Sequence, residues 1–183
     1  MMNVLPIDKK ILDKFGPYTL VTGVLLIVLG TAGILLPVVM SLSTAIFVGW
    51  LLLVGGGLWA IHTYQHSPTH VVNWIKPVLL FLVGGLMLFY PVSGVAAVGL
   101  LLAIYLLLDA MHSFTFAQSI FPAKGWGWMT FNGVVSALLA VLFLIGWPAT
   151  SLWLVGLYVG ISLLFDGWAL VMIGWALRKG AQP

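Results

Sequence analysis

An aspartate inside an apolar stretch is a candidate for proton or cation chemistry, because insertion scales set that side chain at about +2.5–3.5 kcal/mol at the centre of a bilayer helix. The sequence has four acidic residues, and two of them, Asp109 and Asp166, stand in such stretches. A hydroxyl precedes each by four residues, Tyr105 and Ser162, on the same helical face. Tyr158 extends the second line, and His112 follows Asp109 by three residues, within reach of an ion pair. These six residues are the candidate proton, ion or polar-network set. The plainer reading is that both carboxylates sit at a membrane interface, hydrated or hydrogen-bonded to neighbouring helices.

His62, His66 and His70 recur every four residues, a spacing that stacks imidazoles on a helix and suggests a metal site or a pH sensor. Pro68 interrupts such a helix, and no carboxylate lies nearby as a further ligand. A solvated interfacial loop is expected, with no metal and no cofactor. Asp8 and Asp13 lie among lysines in the N-terminal segment, where a solvated amphipathic stretch accounts for them. The absence of cysteine excludes disulfides, thiolate chemistry and zinc ribbons. There is no phosphate-cradling glycine loop, no H-E-x-x-H, no G-x-S-x-G and no nucleic-acid module, so an enzyme is not expected.

The elements that hold these residues are set by composition. Of the 183 residues 62% are hydrophobic and 6% charged, with a mean hydropathy of +1.19, whereas soluble domains carry about 25% charged residues. A hydrocarbon core of about 30 Å takes about 20 helical residues. Six stretches qualify: 18–36, 42–61, 75–90, 93–116, 128–145 and 151–177. The first follows three lysines like a signal peptide, but its 19 residues exceed the ~7–15 of a signal core. A retained span is expected. The fold class is therefore all-α, an integral membrane bundle of six transmembrane helices in one domain over 18–177.

The connections alternate. Spans one and two, three and four, and five and six are joined tightly at Pro37, Pro91 and Pro148, while the other two links are longer and polar. Lys9, Lys10, Lys14, Lys76, Lys124, Arg178 and Lys179 are the only basic residues, and all fall on the side of the long links and the termini. The positive-inside rule then makes the segments 1–17 and 178–183 cytoplasmic and the proline turns external. Most of the nine tryptophans stand at the span ends, as an aromatic belt requires. The net charge of +3 thus orients a membrane protein and implies no nucleic-acid partner.

The prolines are also the register marks of an internal repeat. Gly23-x6-Gly30-x6-Pro37 is followed by Pro77-x6-Gly84-x6-Pro91, and then by Gly133-x6-Ala140-x7-Pro148, one residue longer. Twelve residues past each proline come Gly49, Ala103 and Gly160; eighteen past come Gly55, Asp109 and Asp166. The hairpin copies cover about 18–61, 75–116 and 128–177. Small residues at seven-residue spacing lie on one face and let helix backbones approach in lipid. Span six carries Gly156, Gly160, Gly167 and Gly174 on such a face. It is expected at the centre of the bundle or at an interface with a second copy of the chain.

Three two-span copies with a G-x6-G-x6-P hairpin and a small residue twelve further on resemble the HdeD family of bacterial acid-resistance membrane proteins. The resemblance implies an inner-membrane protein linked to acid stress, without catalytic residues, whose contacts are with the bilayer and with partners. A small proton or cation transporter using Asp109 and Asp166 is the alternative.

Overall fold

The computed structural model describes residues 9–66 and 70–180, with side chains for 17–66 and 70–176. Pro68 and Asp8 lie outside the described residues, as do the side chains of Asp13 and of the five terminal basic residues. Six helices follow in order: α1 Lys9–Leu35, α2 Pro37–His66, α3 Val71–Phe89, α4 Pro91–Ile120, α5 Trp126–Ile145 and α6 Ser151–Gly180. All six are long and apolar enough to cross a membrane. No strand occurs among the described residues.

The three proline turns are not alike. Pro37 and Pro91 are the first residues of α2 and α4, where a missing amide proton loses no helical bond. A single non-helical residue precedes each, Leu36 and Tyr90. Across these breaks the chain bends sharply: a β-carbon on Gly33 would stand 3.1 Å from Met40 Cγ, and one on Gly94 would stand 3.4 Å from Met87 Cβ. Residues seven apart in a straight helix are about 10.5 Å apart along the axis. The third turn is longer, with Pro148 in the middle of a non-helical stretch, 146–150, that follows α5. There Trp147 donates its indole Nε1–H to the Ala96 carbonyl at 2.9 Å.

The helices run past the ends expected from hydropathy. α2 continues to His66, so His62 and His66 are helical, and α4 continues to Ile120. Gly125, at φ +110°, precedes α5, a backbone conformation suited to glycine.

The chain divides into two compact units, one of residues Met1–Met40 with Gly156–Pro183 and one of Ser41–Val155. In the first, α1 lies against α6. A β-carbon on Gly30 would meet the Leu164 amide nitrogen at 2.6 Å and the Gly160 carbonyl oxygen at 2.7 Å, and one on Gly23 would meet the Gly167 carbonyl at 2.9 Å. In the second, α2 lies against α3, where a β-carbon on Gly84 would stand 2.8 Å from the Gly49 carbonyl. There too α4 lies against α5, with Ala103 and Ala140 wholly buried.

One rule covers these three pairs. The small residue that leads each proline by seven positions, or eight in the longer copy, meets the small residue twelve past another copy's proline: Gly30 with Gly160, and Gly84 with Gly49. Ala140 and Ala103 occupy the corresponding positions of the third pair. A second layer repeats the scheme, with Gly23 against Gly167; the residues at the same positions of the other pairs, Pro77 and Gly56, Gly133 and Ala110, are all buried. The residues 26 past each proline, Thr63, Ala117 and Gly174, are buried as well. Glycine faces that the sequence offered to a neighbour or to a second copy are thus largely filled within the chain.

Large apolar side chains do the opposite. Phe47 is 63% exposed, Leu101 66% and Leu138 61%. In water such a surface would drive aggregation; against acyl chains it is matched. Without a hydrophobic drive between helices in lipid, close packing of small residues supplies the dispersion contacts that hold them together.

Candidate functional site

Asp109 lies 18 residues into α4, about 27 Å from its start at 1.5 Å per residue, near one edge of the hydrocarbon layer. It is half-buried, and α5 crosses beside it. Ser136 donates its hydroxyl to Asp109 Oδ2 at 2.6 Å, and Asn132 Nδ2 stands 3.3 Å from the same oxygen. Asn132 Nδ2 also reaches Ser113 Oγ at 3.0 Å. Ser113 and Ser136 are buried. Asp109 and Ser113 stand one turn apart on α4, and Asn132 and Ser136 one turn apart on α5, so the four groups form a clamp. Short donation by a hydroxyl to a carboxylate is among the stronger hydrogen bonds.

The residues expected around Asp109 on its own helix are placed elsewhere. Tyr105 is 58% exposed, and His112 is exposed with its ring stacked on Phe116, centroids 6.3 Å apart. Neither joins the clamp. The sequence signal for the true partners was a polar pair four residues apart in span five, Asn132 and Ser136, in a stretch otherwise almost wholly apolar. Which helix faced which was not encoded in that spacing.

Asp166 and Ser162 are exposed on α6, and no hydrogen bond or ion pair falls on either among the described residues. Tyr158, on the same line, is half-buried. Gly156, Gly160, Gly167 and Gly174 are buried. Helix α6 therefore has a packed glycine side and a polar side that reaches the surface.

The histidines are divided. His62 and His66 stack in the last turns of α2 with centroids 4.3 Å apart, and His66 Nδ1 lies 3.1 Å from the His62 carbonyl oxygen. That oxygen only accepts, so the His66 Nδ1 carries the proton. His70 instead precedes α3 as its N-cap residue. Trp59 stands edge-on to His62, and Lys76 from α3 holds its Nζ 3.2 Å from the centre of the Trp59 ring. Among the described residues no group of three or more histidines and carboxylates is placed to hold a metal.

Six helices long and apolar enough to cross a membrane, carrying a repeated sequence motif and one carboxylate clamped between α4 and α5, define a polytopic α-helical membrane protein built by internal duplication. Residues 21–88 and 75–145 each match the family described as a short repeat of unknown function (DUF308). The chain belongs to that family, which includes HdeD-like membrane proteins. The two matched segments begin 54 residues apart, the same interval that separates Pro37 from Pro91. No curated protein and no solved structure matches the chain at a significant level.

Proposed function

We propose that the protein is a non-catalytic, HdeD-type protein of the bacterial inner membrane that contributes to acid-stress tolerance, with both termini cytoplasmic. The observation that carries the reading is the clamp. Asp109 directs a carboxylate oxygen at Ser136 and Asn132 of the neighbouring helix, which is how a structural group is used in a span. Membership of the repeat family supports the likeness to HdeD, and the one-sided distribution of the basic residues supports the orientation.

The alternative, a small proton or cation transporter, draws support from Asp166, an acidic residue exposed within a span and without a hydrogen bond among the described residues. The double variant Asp109→Asn, Asp166→Asn separates the two readings. On the proposed reading, cells carrying it survive acid challenge as the wild type does while the protein inserts and accumulates normally. Loss of survival with normal accumulation favours transport.

A further inference from the structure

The 30 residues of α2 span about 45 Å at 1.5 Å per residue, against a hydrocarbon core of about 30 Å. Its last turns therefore reach headgroup level. There α2 and α3 border a cleft of about 280 Å³, lined by Trp59, His62, His66, Asn73 and Lys76 among others. An apolar groove of about 460 Å³ lies beside it, over Leu52, Ile75, Leu79 and Val83. Val72 and Lys76 line both spaces, so a cleft with polar groups at the interface adjoins an apolar groove in the span.

The charge in this cleft has no counter-charge on its own helices, since α2 and α3 contain no aspartate or glutamate. Lys76 is exposed, and the indole beneath it fixes the position of its ammonium. An ammonium has three N–H donors and spends one face on the ring, so the others point to the cleft or to solvent. The Asn73 side chain has no hydrogen bond among the described residues. Packing does not demand the lysine. The same repeat position, fifteen residues before the hairpin proline, holds Thr22 in the first copy, and Asn132 in the longer third copy, where it bonds to Ser113.

We propose that this junction binds an anionic glycerophospholipid, its phosphate held at Lys76 with Asn73 and His66 beside it, and one acyl chain lying in the groove over Ile75, Leu79 and Val83. The chemistry of the cleft suits any phosphate ester. The adjoining groove selects one that carries an acyl chain. The inference stands on α2 and α3 alone and does not depend on the acid-stress reading.

The test is native mass spectrometry of delipidated protein in detergent, titrated with dioleoyl phosphatidylglycerol or with dioleoyl phosphatidylcholine. Phosphatidylglycerol should bind about tenfold more tightly, the scale of one charge-assisted hydrogen bond. Lys76→Gln should abolish that preference, and Lys76→Arg, which keeps the charge, should retain it. Leu79→Trp, which fills the groove from an exposed position, should weaken both lipids. Equal binding of the two lipids by wild type, or an unchanged preference in Lys76→Gln, overturns the proposal. Displacement of phosphatidylglycerol by millimolar inorganic phosphate, with Leu79→Trp binding as wild type, assigns a free phosphate anion instead and overturns the lipid assignment.

Discussion

Asn132 of α5 donates to Ser113 of α4 at 3.0 Å, and the same two repeat positions in the preceding helix pair are occupied by Lys76 and Trp59, joined by a cation–π contact. Ser113 and Trp59 each stand 22 residues past their proline. In the third copy that position is Leu170, and its counterpart on α1 is Thr22. The duplicated scaffold thus keeps its small packing residues and changes the chemistry just beyond them. At these two positions one pair is neutral and polar, one is basic and aromatic, and one holds threonine and leucine.

The packing rule predicts which glycines can be enlarged. A β-carbon on Gly30 would press on backbone atoms of Leu164 and Gly160, which have little freedom to move, whereas one on Gly85 would meet nothing within 4 Å. Gly30→Ala is expected to cost about 1–3 kcal/mol through overpacking. Gly85→Ala is expected to be neutral or to stabilise by up to about 1 kcal/mol through helix propensity. Reversible unfolding in mixed micelles, read by circular dichroism, gives both values.

The clamp predicts a coupling between Asp109 and Ser136. Interhelical hydrogen bonds in membranes average about 0.6 kcal/mol and reach about 1.7 kcal/mol. The short geometry at Asp109 places this one in the upper part of that range. A double-mutant cycle of Asp109→Ala and Ser136→Ala in the same unfolding assay measures it, since an asparagine at 109 would still accept from the serine hydroxyl. A parallel cycle of Asp109→Ala with Tyr105→Phe is expected to show no coupling, because Tyr105 is exposed and makes no hydrogen bond to the clamp.

Orientation is testable with introduced thiols, since the chain has no cysteine of its own. Ala149→Cys, in the third proline turn, is expected to react with a membrane-impermeant maleimide in intact spheroplasts. Ala123→Cys, in the link between α4 and α5, is expected to react only after the membrane is opened. The reverse pattern would invert the assigned topology.

Much of the architecture was legible in the sequence because its determinants are local. Proline at three register points, apolar runs of span length and small residues at seven-residue intervals specify helices, breaks and packing faces without knowledge of partners. The pairing was not legible: nothing in the spacing of Gly30 or Gly84 says that the first meets Gly160 and the second Gly49. The same limit applied at Asp109. Helical spacing points along α4 to Tyr105 and His112, whereas the half-buried carboxylate takes its donors from α5. Hydropathy also ended α2 before His66, because polar residues at headgroup level continue a helix that the apolar core no longer requires. That extension creates the cleft around Lys76 and was hidden for the same reason.

Proton flux into liposomes containing the purified protein tests the central claim most directly, that the clamped Asp109 is structural and the protein does not transport. A pH-sensitive dye trapped inside, under an imposed pH gradient and with valinomycin to clamp the potential, reports the flux. The account predicts the rate of protein-free liposomes for wild type and for Asp109→Asn, Asp166→Asn alike. A wild-type rate well above that background, lost in the double variant while the protein remains folded and inserted, would contradict it.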